Sequence, residues 1–244
     1  MSLDGFDGFV ADSRYPVDLV TIDGLRSRLV TALAATLTAS AALLAPALSP
    51  TPIGGLPTAS AQGCPDIEVV FARGTNEDAG LGAVGGTFVD QLRGKVGGRS
   101  VGAYAVNYPA TFDFLKAAAG ANDASGHIQY MVNTCPNTRL VLGGYSQGAA
   151  VIDVISAVPV PGIGFDDPLP PNVGDHVAAI AVFGNPSAKL GLPLTVSPVW
   201  GPRSIDLCNP DDPICQTNGE SVAAHRAYAG GPTNQAADFV AGHL

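Results

Sequence analysis

Apolar positions along this chain come in short continuous runs separated by stretches with helical spacing. IEVVFAR (67–73), SVGAYAVNY (100–108), TRLVLGG (138–144), HVAAIAVFG (176–184) and RSIDLC (203–208) read as strands. Runs without polar alternation imply strands covered on both faces. Between them, TFVDQLRGKV (87–96) places Phe88, Leu92 and Val96 at steps of four, the spacing of one helix face. Helical patterns also cover 127–135, 149–158, 220–228 and 233–243. Repeated strand-then-helix order predicts an α/β protein, a three-layer α/β/α sandwich around a mainly parallel five-stranded sheet.

That architecture converts sequence positions into a site. Parallel sheets gather function at the carboxyl ends of their strands. Arg73-Gly74-Thr75 follow the first strand, Ser146 the third, and Asp211 and Asp212 the fifth. One edge therefore collects residues far apart in the chain.

The first sixty residues follow a different pattern. Arg26 and Arg28 precede the uncharged run 29–48, a Gly/Pro stretch follows, and Ala59-Ser60-Ala61 stands just before Gln62. A basic flank, an apolar segment and a small-residue site describe a secretory signal; an uncleaved membrane anchor is the alternative. The expected organisation is an N-terminal extension plus signal over 1–61 and a single catalytic domain over 62–244. The product is expected to be secreted and monomeric, with no stable membrane insertion after cleavage.

Composition narrows the partners. Of 244 residues, 46% are hydrophobic and 14% charged, enough for one sizeable core. A net charge of −9 argues against nucleic acid, whose phosphates select a basic surface. All four cysteines, Cys64, Cys135, Cys208 and Cys215, lie beyond the expected cleavage site. Four cysteines in an exported chain suggest two disulfides, with three possible connectivities. Cys208 and Cys215 bracket a short loop and form the natural local pair, which leaves Cys64 with Cys135. No C-x-x-C spacing is present, and no metal is expected.

Gly144-Tyr145-Ser146-Gln147-Gly148 fits G-x-S-x-G, a tight strand-to-helix turn that exposes a serine Oγ. The N–H of the following residue, Gln147, then faces a developing oxyanion. A serine needs a base. Of the four histidines, His127 lies upstream, His176 opens the fourth strand at the wrong edge, and His243 is next to last. His225 follows the fifth strand and completes the order serine, acid, histidine. Asp206 lies within that strand, while Asp211 and Asp212 lie in the loop after it.

FARGT (71–75), GYSQG (144–148), CNPDDPIC (208–215) and HRAY (225–228) together resemble the cutinase family of secreted serine esterases, over about residues 64 to 244. The resemblance implies a lidless α/β-hydrolase fold and places the acid at Asp212, three residues before Cys215, with Asp211 a solvated neighbour. It supports the Cys64–Cys135 pairing. It implies an oxyanion hole from Thr75 and Gln147, where Thr75 replaces the family's serine. It also implies that Phe112, Phe114, Leu115 and Val222 flank an open cleft for acyl chains. The expected activity is hydrolysis of short- to medium-chain aliphatic esters, or cutin-like polyesters, through an acyl-enzyme and without a cofactor. Lipase or phospholipase action, acetylxylan deacetylation, transfer to an acceptor other than water, and an inactive cell-envelope binding protein are the alternatives. A histidine base must be neutral, so activity is expected to fall below about pH 6.5.

Overall fold

A computed structural model describes residues 63–157, 161–162 and 164–244. The signal segment and its cleavage site fall outside the described residues. Five strands form one sheet: β1 (Ile67–Ala72), β2 (Val101–Ala105), β3 (Arg139–Tyr145), β4 (Val177–Phe183) and β5 (Ser204–Leu207). Their order is β2-β1-β3-β4-β5 and every pairing is parallel. β1, β3 and β4 are the interior strands and are almost wholly buried, as their unbroken apolar runs require.

Alternate residues of these strands feed two cores. Val70, Leu140, Leu142, Ile180 and Val182 pack beneath α2 (Ala117–Thr134) and α3 (Gln147–Ala157). Ile67, Val69, Phe71, Val141 and Phe183 pack on the other face, with Phe88 of α1 (Gly82–Arg93) and Ala237 of α6 (Gly231–Ala241). The result is the expected three-layer α/β/α sandwich.

Helix limits differ from the sequence pattern. α1 begins at Gly82, five residues before its periodic signal, because its first turns hold Gly82, Gly85 and Gly86. α2 begins at Ala117, ten residues early, since AAAGANDASG lacks large apolar side chains to mark a face. The helix packs closely there: a Cβ on Gly120 would stand 2.9 Å from Tyr108 Cγ. Among the described residues there are also two four-residue α-helices, α4 (Pro186–Lys189) and α5 (Val222–His225).

The strand order positions the site. β1 leads to β2 on one side, whereas β3 leads to β4 on the other, so chains leave these neighbours in opposite directions. A crevice opens at such a switch point, outside the carboxyl ends. Register aligns those ends: Ala72 pairs Gly144, Tyr145 pairs Phe183, and Phe183 pairs Leu207. Everything that follows β1, β3, β4 and β5 emerges on one rim.

Candidate active site

Ser146 sits between the end of β3 and the start of α3 with φ +54°, a left-handed backbone that a serine adopts only under local constraint. Its N–H donates to Phe183 O at 2.9 Å, fixing the turn to β4. The flanking glycines are sterically required. A Cβ on Gly144 would collide with the Gly148 carbonyl, and one on Gly148 with the Ala72 carbonyl of β1.

Ser146 Oγ lies 2.9 Å from His225 Nε2, and His225 Nδ1 lies 2.8 Å from Asp212 Oδ2. The sequence-predicted serine, base and acid therefore form one continuous line, though 79 residues separate the first pair and 13 the second. With Nδ1–H donating to the carboxylate, Nε2 is free to take the serine proton.

Each member is held by its own element. His225 ends α5, whose first turn is capped by Ser221 Oγ accepting from Ala224 N–H at 3.1 Å. Tyr145 O–H donates to His225 O at 2.7 Å, and its ring lies 5.1 Å from the imidazole. Burial, then the nearby Glu77, pushes the Tyr145 phenol up to about 12, so it stays a donor. Asp212 is wholly buried in the loop closed by the Cys208–Cys215 disulfide. Three donors converge on it: Ile214 N–H on Oδ1 at 2.8 Å, and the Tyr228 hydroxyl on Oδ2 at 2.6 Å beside His225. A buried carboxylate requires that satisfaction.

Asp211 is exposed, as expected, but does more than meet solvent. Its Oδ1 accepts Glu220 N–H at 2.8 Å and its carbonyl accepts Ser221 N–H at 2.9 Å, tying the acid's loop to the start of α5. Asp206 turns instead to Asn185 and Leu194 N–H. The other histidines lie elsewhere: His127 pairs with Glu68, His176 stands before β4, and His243 contacts Phe239 O.

Thr75 is brought beside Gln147, its Oγ1 3.4 Å from Gln147 Oε1. The Thr75 hydroxyl is thus directed at an amide oxygen rather than left unengaged. Gln147 is buried, its Nε2 donates to Thr111 O at 2.9 Å, and as the first residue of α3 its N–H has no intrahelical partner. The Thr75 loop is pinned by residues the sequence reading did not assign. Arg73 is buried and donates to Glu77 O, Val106 O and Tyr108 O, with its guanidinium over the Tyr108 ring. Glu77 in turn accepts Gly74 N–H and Ala83 N–H. Arg73 and Glu77 flank Thr75 in FARGTNE, but their roles arise only when strands meet. The same holds for Tyr228 in HRAY.

Phe112, Phe114, Leu115 and Val222 are all more than half exposed. Phe112 and Phe114 meet edge to face, in the loop whose Thr111 carbonyl holds Gln147. A cavity of about 760 Å³ lies apart from these residues, lined by α3 and the 192–200 segment, including Asp153, Leu194 and Trp200. Ser146 and His225 do not line it. Both expected disulfides form, Cys64–Cys135 with Cα atoms 5.4 Å apart and Cys208–Cys215 at 5.9 Å. Among the described residues, no cluster of three His, Cys, Asp or Glu suits a metal, and no helix is long and apolar enough to cross a membrane.

Comparison with known proteins gives the family. A family model described as Cutinase matches residues 63–244. Phospholipase Culp4 of Mycobacterium tuberculosis is 55% identical over 222 residues, covering 91% of this chain and 94% of its own. Carboxylesterase Culp1 of Mycobacterium bovis is 50% identical over 207 residues, covering 81% and 90%. Among solved structures, a Trichoderma reesei cutinase superposes with TM-score 0.58 at 32% identity, covering 72% of this chain and 75% of that one. The catalytic core of acetyl xylan esterase from Trichoderma reesei gives TM-score 0.65 at 28% identity, covering 74% and 100%. The chain belongs to the cutinase family and is a serine carboxylic ester hydrolase.

Proposed function

We propose that Ser146, His225 and Asp212 act as nucleophile, base and orienting acid in two-step acyl transfer. The reading rests above all on the unbroken hydrogen-bond line from Asp212 through His225 to Ser146. Nε2 takes the Oγ proton as Oγ attacks the ester carbonyl. The Thr75 and Gln147 N–H groups receive the charge on the carbonyl oxygen; one such donor is typically worth about 10²–10³ in turnover. The imidazolium then protonates the leaving alcohol, and water, deprotonated by the same nitrogen, releases the acid.

The substrates we assign are aliphatic esters of short to medium acyl length, the chain resting on Phe112, Phe114, Leu115 and Val222, whose exposure suits an apolar ligand. Phospholipid is the second reading, supported by the relative named a phospholipase at 55% identity. Two disulfides support action outside a reducing cytosol.

Hydrolysis of p-nitrophenyl esters from C2 to C16, wild type beside Ser146→Ala, tests the assignment. The expected result is a maximum at short or medium chains and a loss of about 10⁴-fold or more in the variant. An active Ser146→Ala enzyme would remove the serine from the mechanism. Release of fatty acid from phosphatidylcholine vesicles faster than from soluble esters would move the assignment to phospholipid.

A further inference from the structure

Tyr228 follows His225 by three residues and is fully buried, its ring edge-on to both His225 and Phe183. Its hydroxyl accepts Asn209 N–H at 2.8 Å and gives its one proton to Asp212 Oδ2 at 2.6 Å. That oxygen is the one facing His225 Nδ1. Cys215 Sγ lies 3.4 Å from the hydroxyl but is disulfide-bonded, so it has no proton to offer.

We propose that Tyr228 is a positioning residue that acts on the base through the acid, its O–H sharing the charge of Asp212 Oδ2 and so setting how strongly that oxygen holds a protonated His225. The proposal rests on the reading of Ser146, His225 and Asp212 given above. A hydroxyl dipole aimed at a carboxylate lowers the negative potential felt by a neighbouring cation. The imidazolium then gains less from its acid than it would beside Asp212 alone. The same bond, with Ile214 N–H on Oδ1, prevents the carboxylate from rotating away. Burial, then the bond to Asp212, holds the Tyr228 phenol above its ordinary value, so it stays a donor throughout the working range.

Other polar and charged groups around His225 and its neighbour Tyr145 do not replace it. Tyr145, from β3, donates to the His225 carbonyl. Glu77, from the loop after β1, is engaged by Gly74 and Ala83. Asp211 is exposed and bonded to Glu220 N–H, and Arg226 follows His225 in the chain. Among the described residues, Tyr228 alone shares Oδ2 with His225.

Tyr228→Phe keeps the ring and removes the proton. The readout is the pH profile of kcat/KM for a p-nitrophenyl ester. The acidic limb is expected to move upward by about half to one pH unit, with plateau kcat reduced about tenfold or less. A lower Tm and a uniformly reduced rate with an unmoved limb would overturn the proposal, leaving Tyr228 a packing residue. If Tyr228→Phe does not fold, 3-fluorotyrosine at position 228 supplies a more acidic donor; the limb must then move downward, and an unmoved limb overturns the idea. NMR titration of the His225 ring protons in a Ser146→Ala background needs no activity. There Tyr228→Phe should raise the midpoint even if Ser146 proves not to be the nucleophile. An unchanged midpoint with an inactive Ser146→Ala enzyme defeats the Tyr228 proposal and leaves the mechanism standing.

Discussion

A wholly buried carboxylate, Asp212, and a half-buried pair, Asp153 and Asp206, lie on either side of the end of β4, and they are built in opposite ways. Asp212 has both oxygens occupied, by Ile214 N–H on one and by His225 and Tyr228 on the other. Asp153 and Asp206 share one donor, the wholly buried Asn185, whose Nδ2 reaches Asp153 Oδ1 at 3.3 Å and Asp206 Oδ2 at 2.8 Å. Among the described residues, Asp153 Oδ2 and Asp206 Oδ1 have no hydrogen-bond partner. Burial accordingly pushes Asp153 up to about 6, against the pull of Ser187 and Asn185 and with a further push from Asp206; burial also raises Asp206. The seam between the two sets is two residues wide: Gly184 abuts His225 and Tyr228, and Asn185 serves the other pair. Burial does not by itself fix a carboxylate. Convergent donors on both oxygens do, because they hold it in one orientation.

The strongest way to break this contrast is Asp212→Asn, which keeps shape and removes charge. We expect kcat to fall about 10⁴-fold, because an amide neither selects the working imidazole tautomer nor stabilises its cation. Asp211→Asn, altering the exposed neighbour, should cost less than about tenfold in kcat. Equal losses in the two variants would mean that the buried and donor-rich position is not the acid.

A smaller effect comes from the seam itself. Gly184 has φ +56°, and a Cβ there would stand 2.9 Å from His225 Cε1 and 3.1 Å from His225 Nδ1. Gly184→Ala should displace the imidazole by a few tenths of an ångström and reduce kcat about 10- to 100-fold with KM little changed. The left-handed backbone adds a stability cost of about 1 kcal/mol. Full kcat in this variant would show that the imidazole tolerates displacement, and that donors alone fix the line.

Much of this was legible in the chain. Continuous apolar runs located the three interior strands to within a few residues, because interior parallel strands have no polar face to confuse the pattern. The turn around Ser146 was legible because it demands glycines, and His225 because it follows the fifth strand; the residues alone left Asp211 and Asp212 open, and only the cutinase resemblance singled out Asp212. What escaped is what tertiary packing creates. The first ten residues of α2 are small or polar, and at Gly120 the helix approaches Tyr108 too closely for a side chain. Asp206 read as a strand residue, and nothing near Asp153 in sequence announces Asn185 or Asp206. Tyr145 and Tyr228 stood inside recognisable motifs, but hydroxyl partners 80 and 16 residues away are not a local signal.

The smallest expected effect tests the other half of the contrast. Asp153 ionises near its ordinary value of 3.8 when unfolded and at about 6 when folded. Below pH 3.8 both states hold the proton, and burial costs nothing through ionisation. As pH rises through the window from 3.8 to about 6, the unfolded state releases its proton first, so stability falls; above the window the deficit stays constant. A gap of about two pH units corresponds to about 3 kcal/mol at most, and loss of the charge-assisted bond from Asn185 offsets part of it. Asp153→Asn should therefore stabilise the fold by about 1–2 kcal/mol at pH 7.5, raising Tm by a few degrees, with the gain vanishing near pH 4. Ester hydrolysis should not change, since Asp153 is no part of the line from Asp212 to Ser146. Thermal melts of both proteins at the two pH values check it. An equal gain at both would trace the stabilisation to packing rather than charge, and the orphaned oxygen of Asp153 would then carry no electrostatic cost to set against the satisfied oxygens of Asp212.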